Sequence, residues 1–232
     1  MCCRIRESFR ILGRRSFIFF NLYYSRGLAW YLSHFPYKTR KGDKLCFEAT
    51  PDYLYHAFVP GRIKRDLGNL KFIVVLREPA ARVYSAWKMW NSFMDRPGKR
   101  AKADARSFAE AIREEMTASD EEANRPYNYV AMGKYAEQIR NYRSMFPKDD
   151  MLILDYAEMN RDLHTFLNRI CRFLDIEPLD RGVSDGLKDR RYWVGPARPV
   201  TAGEQETIDF LKDYYAPYNE RLYNLVGHRF DW

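Results

Sequence analysis

Arg77 and Ser85, eight residues apart across a proline, are the pair in this chain whose chemistry is easiest to name, because together they can grip a phosphate. They lie in the run Lys71-Phe-Ile-Val-Val-Leu-Arg77-Glu-Pro-Ala-Ala-Arg82-Val-Tyr-Ser85-Ala-Trp87. A guanidinium holds phosphate through two parallel charge-assisted hydrogen bonds, and a serine hydroxyl about two helical turns further on adds a donor. The spacing predicts a buried strand over Phe72 to Leu76, covered on both faces, with Arg77 at its carboxyl end, where open α/β sheets place their ligands. Pro79 suits the first turn of the helix that follows, and the free amides of that turn favour an anion.

The elements that must position this pair follow from periodicity. Lys44 to Ala49 reads as a short strand ended by Thr50-Pro51-Asp52, and Val59 to Leu67 as a short helix. A helix from Pro79 to about Phe93 carries Val83, Ala86, Trp87 and Trp90 at helical spacing, which predicts packing on the sheet. Further helices are expected at Ser107 to Met116 and at Asn128 to Phe146, where Pro147 stops the second. Met151 to Leu154 is a second buried strand, Leu163 to Leu174 an amphipathic helix, and Glu204 to Leu225 a helix broken at Pro217. Strands alternating with helices predict an α/β fold with a central parallel sheet flanked by helices, and 232 residues suit a single domain, 1–232.

Composition narrows the partners. A net charge of +8 favours anions such as a nucleotide, a sulfated or carboxylated glycan, or nucleic acid, and the densest basic cluster is Lys99 to Arg106. No stretch approaches the roughly 20 apolar residues of a membrane span. Met1-Cys-Cys-Arg-Ile-Arg lacks the apolar core of a secretory signal, and residues 1–15 are expected to be disordered or unrelated to the family that the remaining chain resembles. Four scattered histidines and cysteines at 2, 3, 46 and 171 give neither a metal-site spacing nor a disulfide framework, so no metal is expected.

The Arg-Glu-Pro...Arg...Ser pattern resembles the 3'-phosphate motif of sulfotransferases that use 3'-phosphoadenylyl sulfate (PAPS), most of all their heparan sulfate-like, carbohydrate branch. Four further blocks stand in the family's order. Gly27-Leu-Ala-Trp30-Tyr31 to Phe35-Pro36 is similar to its Gly-x-x-Trp-Tyr...Phe-Pro segment, and Glu48-Ala-Thr50-Pro51-Asp52-Tyr53 to its Glu-x-Thr-Pro-x-Tyr motif near the substrate cleft. Gly133-Lys-Tyr135 with Phe146-Pro147 makes the next block, and Tyr215 to Tyr223 with the closing Phe230-Asp231-Trp232 the last. The resemblance implies a P-loop NTPase-like sulfotransferase fold, with PAPS as co-substrate and no metal. It gives the 3'-phosphate to Arg77 and Ser85, a further cofactor contact to Arg198, and the acceptor side to Thr50, Pro51 and Asp52.

The chain also departs from the family. The Lys-Gly-Arg loop over the cofactor is Pro196-Ala197-Arg198 here, keeping only the arginine. No Lys-x-Gly-Thr-Thr loop for the 5'-phosphosulfate is found, which makes the fold N-terminally incomplete as read, with the missing strand and loop upstream of Met1 or lost. In the Lys-Glu-x-x-Phe-Phe segment that carries the general base, Ser16 takes the place of Glu and Asn21 that of Asp. A serine hydroxyl is a poor base near neutral pH.

The function implied is in-line transfer of a sulfuryl group from PAPS to a hydroxyl or amine of a carbohydrate acceptor, inactive in this form if the base and loop are truly absent. The alternatives are a non-catalytic binder of the 3',5'-bisphosphate nucleotide or an acidic glycan, and a basic nucleic-acid-binding protein. On the leading reading the partners are a glycan acceptor and a nucleotide donor, not nucleic acid, and the oligomeric state is not set. The family implies the Golgi lumen for a eukaryotic form with an upstream anchor, and the cytoplasm otherwise.

Overall fold

The computed structural model describes residues 19–36, 45–118, 127–188 and 198–232. Among them are a short π-helical turn Phe19–Tyr23 and the helices α1 (Leu28–Leu32) and α2 (Val59–Leu67). The strand β1 (Phe72–Leu76) and the helix α3 (Pro79–Asn91) follow. Then come α4 (Phe108–Thr117), α5 (Tyr135–Arg143), the strand β2 (Met151–Asp155) and α6 (Tyr156–Arg161). The chain continues through α7 (Leu163–Leu174), α8 (Arg181–Lys188) and α9 (Ala202–Val226). None of these helices is long and apolar enough to cross a membrane.

β1 and β2 pair in a two-stranded parallel sheet. Both are apolar runs of the expected kind, but only β2 is enclosed. Ile73 and Val75, which point to the same side of β1, are 39% and 44% exposed. The expectation of a strand covered on both faces therefore fails for β1, whose Ile73 and Val75 side is only partly covered among the described residues. The described part of the strand expected from Lys44 to Ala49 is not a strand either: residues 45–50 alternate between exposed and half-buried, as an extended segment does, yet have no ladder. Alternation reports direction, and a strand also needs a neighbour to bond to.

The chain divides into two compact units. One comprises residues 1–74, 141–152 and 158–192. Its interior is aromatic: Phe19 stacks on Tyr31 at 4.7 Å between centroids, and Phe72 meets Phe146 edge-on at 4.6 Å. α7 begins at the Asp162 cap, whose carboxylate accepts from the Thr165 amide at 3.1 Å, and buries Leu163, Phe166 and Cys171.

The other unit comprises residues 75–140, 153–157 and 193–232. Ala80, Val83, Tyr84 and Trp87 of α3 form a stripe that packs with Phe108, Ala111 and Ile112 of α4 and Leu211 and Tyr215 of α9. The stripe expected to lie on the sheet is thus buried against helices. Complete burial of side chains this size is worth about 1.5–3 kcal/mol each. α9 runs unbroken through Pro217, contrary to the expected break. Proline removes one helical hydrogen bond and crowds the preceding turn, but Leu211, Tyr215, Leu222 and Tyr223 are buried on both sides of it. The helix foreseen from Asn128 to Phe146 is shorter, since Ala131–Gly133 forms a 3-10 turn before α5. Gly133 is needed there, because a Cβ would lie 2.5 Å from the Tyr215 hydroxyl oxygen and 2.7–2.8 Å from ring carbons.

Candidate functional site

Arg77 stands at the carboxyl end of β1 and is half-buried. Its carbonyl accepts from the Tyr135 hydroxyl at 3.0 Å, and burial pushes that phenol up to about 12. The guanidinium lies over the Tyr156 ring at 5.3 Å and has no acidic partner among the described residues. Tyr156 follows directly on β2, so the ends of two paired strands supply a cation and the aromatic face that orients it. Periodicity did not single out Tyr156. The available signal was its place just after a buried strand, the same rule that picked out Arg77.

The start of α3 differs from the expectation in a way that bears on any phosphate. Glu78 is the N-cap, and its carboxylate accepts from the amides of Ala80 at 2.8 Å and Ala81 at 2.6 Å. The helix's own acid therefore occupies the place foreseen for an outside anion. It also means that Glu78 is not spent on Arg77. Ser85 lies on the face of α3 shared by Arg82 and Glu78, three and seven residues before it. Its hydroxyl is half-exposed and without a protein partner among the described residues. Arg82, the second arginine of the pattern, donates instead to the Tyr129 carbonyl.

Arg198 belongs to the same unit as Arg77 and Ser85, and it is engaged. Its two terminal nitrogens reach both oxygens of Glu204, Nη1 to Oε2 at 2.8 Å, and its guanidinium lies 5.7 Å from the Trp87 ring centre. Glu204 also accepts from the Thr201 amide at 2.9 Å, closing a capping box at the start of α9, and from the Tyr84 hydroxyl at 3.2 Å. A phosphate at Arg198 would have to compete with this carboxylate.

Thr50, Pro51 and Asp52, the residues expected on the acceptor side, fall in the other unit. Thr50 is held by Glu48, whose carboxylate accepts from the hydroxyls of Thr50 at 2.9 Å, Tyr53 at 2.6 Å and Tyr31 at 2.7 Å. Burial raises the Glu48 carboxyl above its usual range, and the three hydroxyls oppose that rise. Glu48, Thr50 and Tyr53 of the motif thus bond to one another. Pro51 opens the 3-10 turn Pro51–Leu54, which presents Asp52 half-buried beside His56. Ser16, the residue at the expected base position, lies outside the described residues, as do Pro196 and Ala197.

A family model described as a sulfotransferase domain matches residues 19–192. The chain is 26% identical over 245 residues to human heparan sulfate glucosamine 3-O-sulfotransferase 3B1, an alignment covering 99% of this chain and 60% of that protein. It is 23% identical to the membrane-associated sulfotransferase kil1 of Dictyostelium discoideum, covering 95% of this chain and 60% of that one. It therefore spans about 60% of the length of such relatives. A crystal structure of a sulfotransferase from Alicyclobacillus acidocaldarius superimposes with a TM-score of 0.65 at 22% identity, covering 95% of this chain and 79% of that one. That likeness identifies the fold as the α/β sulfotransferase fold.

Proposed function

The chain belongs to the sulfotransferase-domain family, and from that premise we propose that it transfers a sulfuryl group from PAPS to a hydroxyl or amine of a carbohydrate chain. The observation that carries the proposal is Arg77: a half-buried guanidinium at the tip of β1, faced by an aromatic ring and free of acidic partners among the described residues. Such a cation in a partly desolvated place favours a bound anion. Ser85, in the same unit and without a protein partner among the described residues, supplies a neutral donor to the same phosphate.

In this scheme Arg77 and Ser85 hold the 3'-phosphate and fix the donor, so that the acceptor oxygen or nitrogen meets sulfur in line with the leaving phosphate. The bond to sulfur forms as the bond from sulfur to the 5'-phosphate breaks, and 3',5'-bisphosphate leaves. Arg198 joins only by exchanging Glu204 for phosphate. Carbohydrate is the acceptor class we favour because relatives such as the human enzyme act on heparan sulfate by name, and a net charge of +8 suits an anionic chain. Glycan or nucleotide binding without catalysis is the second reading, since an unpaired guanidinium at Arg77 would hold an anion equally well without transfer.

The test is incorporation of radiolabelled sulfate from PAPS into desulfated heparan sulfate. Label in the polysaccharide that disappears in Arg77→Ala supports transfer. Tight binding of the bisphosphate with no label favours the second reading, and neither binding nor label removes both.

A further inference from the structure

Arg26 is an exposed cation that two aromatic rings hold in place. Its guanidinium lies 5.2 Å from the Tyr23 ring centre and 5.0 Å from that of Trp30, and the two rings meet edge-on at 5.7 Å. Among the described residues the guanidinium has no acidic partner and the Tyr23 hydroxyl has no hydrogen-bond partner. The platform is itself fixed. Trp30 meets His34 edge-on at 4.4 Å and tilts against the buried Phe19 at 6.1 Å, while His34 Nδ1 lies 2.7 Å from the Trp30 carbonyl.

We propose that Arg26 and Tyr23 form a subsite for one anionic group, a carboxylate or a sulfate, of the acceptor polysaccharide; the inference rests on the carbohydrate reading above. Stacking on rings uses the faces of a guanidinium and leaves the N–H fork at its edge, the part that grips an oxyanion with two parallel bonds. A planar fork braced in this way loses less freedom on binding than an unsupported lysine. Tyr23 adds a neutral donor beside it. Nucleic acid fits the site less well, because the guanidinium already covers ring faces on which a base would stack.

The subsite is tied to the residues expected on the acceptor side, and every link lies within one compact unit. Tyr31, next to Trp30 in α1, turns inward, stacks on Phe19 at 4.7 Å and donates to Glu48 at 2.7 Å. The same carboxylate accepts from Thr50 at 2.9 Å and Tyr53 at 2.6 Å. Tyr53 in turn accepts from the Phe20 amide at 3.1 Å, in the π-helical turn that ends at Tyr23. The turn bearing Tyr23 and the segment bearing Thr50 thus belong to one hydrogen-bonded framework. A polysaccharide long enough to reach both can be held at a charged sugar distant from the one that is sulfated.

Calorimetry of heparan sulfate oligosaccharides, run without nucleotide, tests the subsite apart from transfer. Arg26→Ala should weaken binding about 3- to 10-fold, the scale of a well-aligned exposed ion pair. Arg26→Lys keeps the charge without the planar fork and should stay weak. Lys148→Ala, which removes an exposed cation elsewhere in the same unit, should bind as the wild type does. A deficit of Arg26→Ala that persists on desulfated chains assigns the carboxylate, and one that vanishes there assigns the sulfate; both support the subsite. Equal affinity of Arg26→Ala and wild type overturns it, and so does an equal loss in Lys148→Ala or a loss seen only on phosphatidylserine vesicles. Wild-type protein that binds no glycan at all would instead remove the carbohydrate reading, and the subsite with it.

Discussion

Glu204 joins two demands on one carboxylate, an ion pair with Arg198 and the cap of α9, and its pKa falls to about 2 from an ordinary 4.5, chiefly through the Arg198 hydrogen bonds. A folded-state value below the unfolded one stabilises fully above pH 4.5, and that contribution is lost as the pH drops toward 2. Urea midpoints of the wild type should fall across that window more steeply than those of Glu204→Gln. At neutral pH the variant should be less stable by about 1 kcal/mol, the scale of a lost cap. Arg198 freed in this way should also tighten bisphosphate binding; an unchanged Kd would strip Arg198 of a phosphate role. Sequence alone made Arg77 visible, since a cation ending an apolar strand has few structural uses. It hid the engagement of Arg198, because Glu204 is six residues away and nothing in spacing distinguishes a cap that also takes an ion pair. The Glu78 cap was hidden differently: an acid before Pro79 reads equally as cap or as partner of Arg77.

Gly133 and α9 show what decides at the level of elements. Gly133→Ala forces a methyl group against the fully buried Tyr215 ring, whose hydroxyl is anchored at 2.7 Å on the Val130 carbonyl. A cost of about 1–3 kcal/mol in urea unfolding is expected, the usual penalty of overpacking. Gly203→Ala, exposed in the first turn of α9 with nothing within 4 Å of its Cβ, should instead be neutral or stabilising by up to about 1 kcal/mol. Equal effects at the two sites would refute this packing account. Glu78→Ala, which uncaps α3, should cost about 1 kcal/mol. Helices with a strong apolar stripe, such as α3 and α7, could be read from residue spacing. The continuity of α9 could not, because tertiary burial around Pro217 overrides a local rule, and the absence of a strand at 45–50 turns on ladder partners that lie elsewhere in the chain.

At the scale of the molecule, the fold class could be read from alternating strands and helices, and the family from five short blocks in order. Neither route foretold the open side of β1, because exposure of Ile73 and Val75 depends on what stands over them. The charge of +8 should make anion binding weaken as salt shortens the screening length from about 10 Å at 0.1 M to about 3 Å at 1 M. Bisphosphate affinity that ignores ionic strength would argue against an electrostatic site. The central claim is more local, and one titration reaches it: calorimetry of adenosine 3',5'-bisphosphate against wild type and Arg77→Ala. Loss of the charged hydrogen bonds should weaken binding by about 1.5–3 kcal/mol, or roughly 10- to 150-fold. Equal affinity in the two proteins would contradict the phosphate site at Arg77.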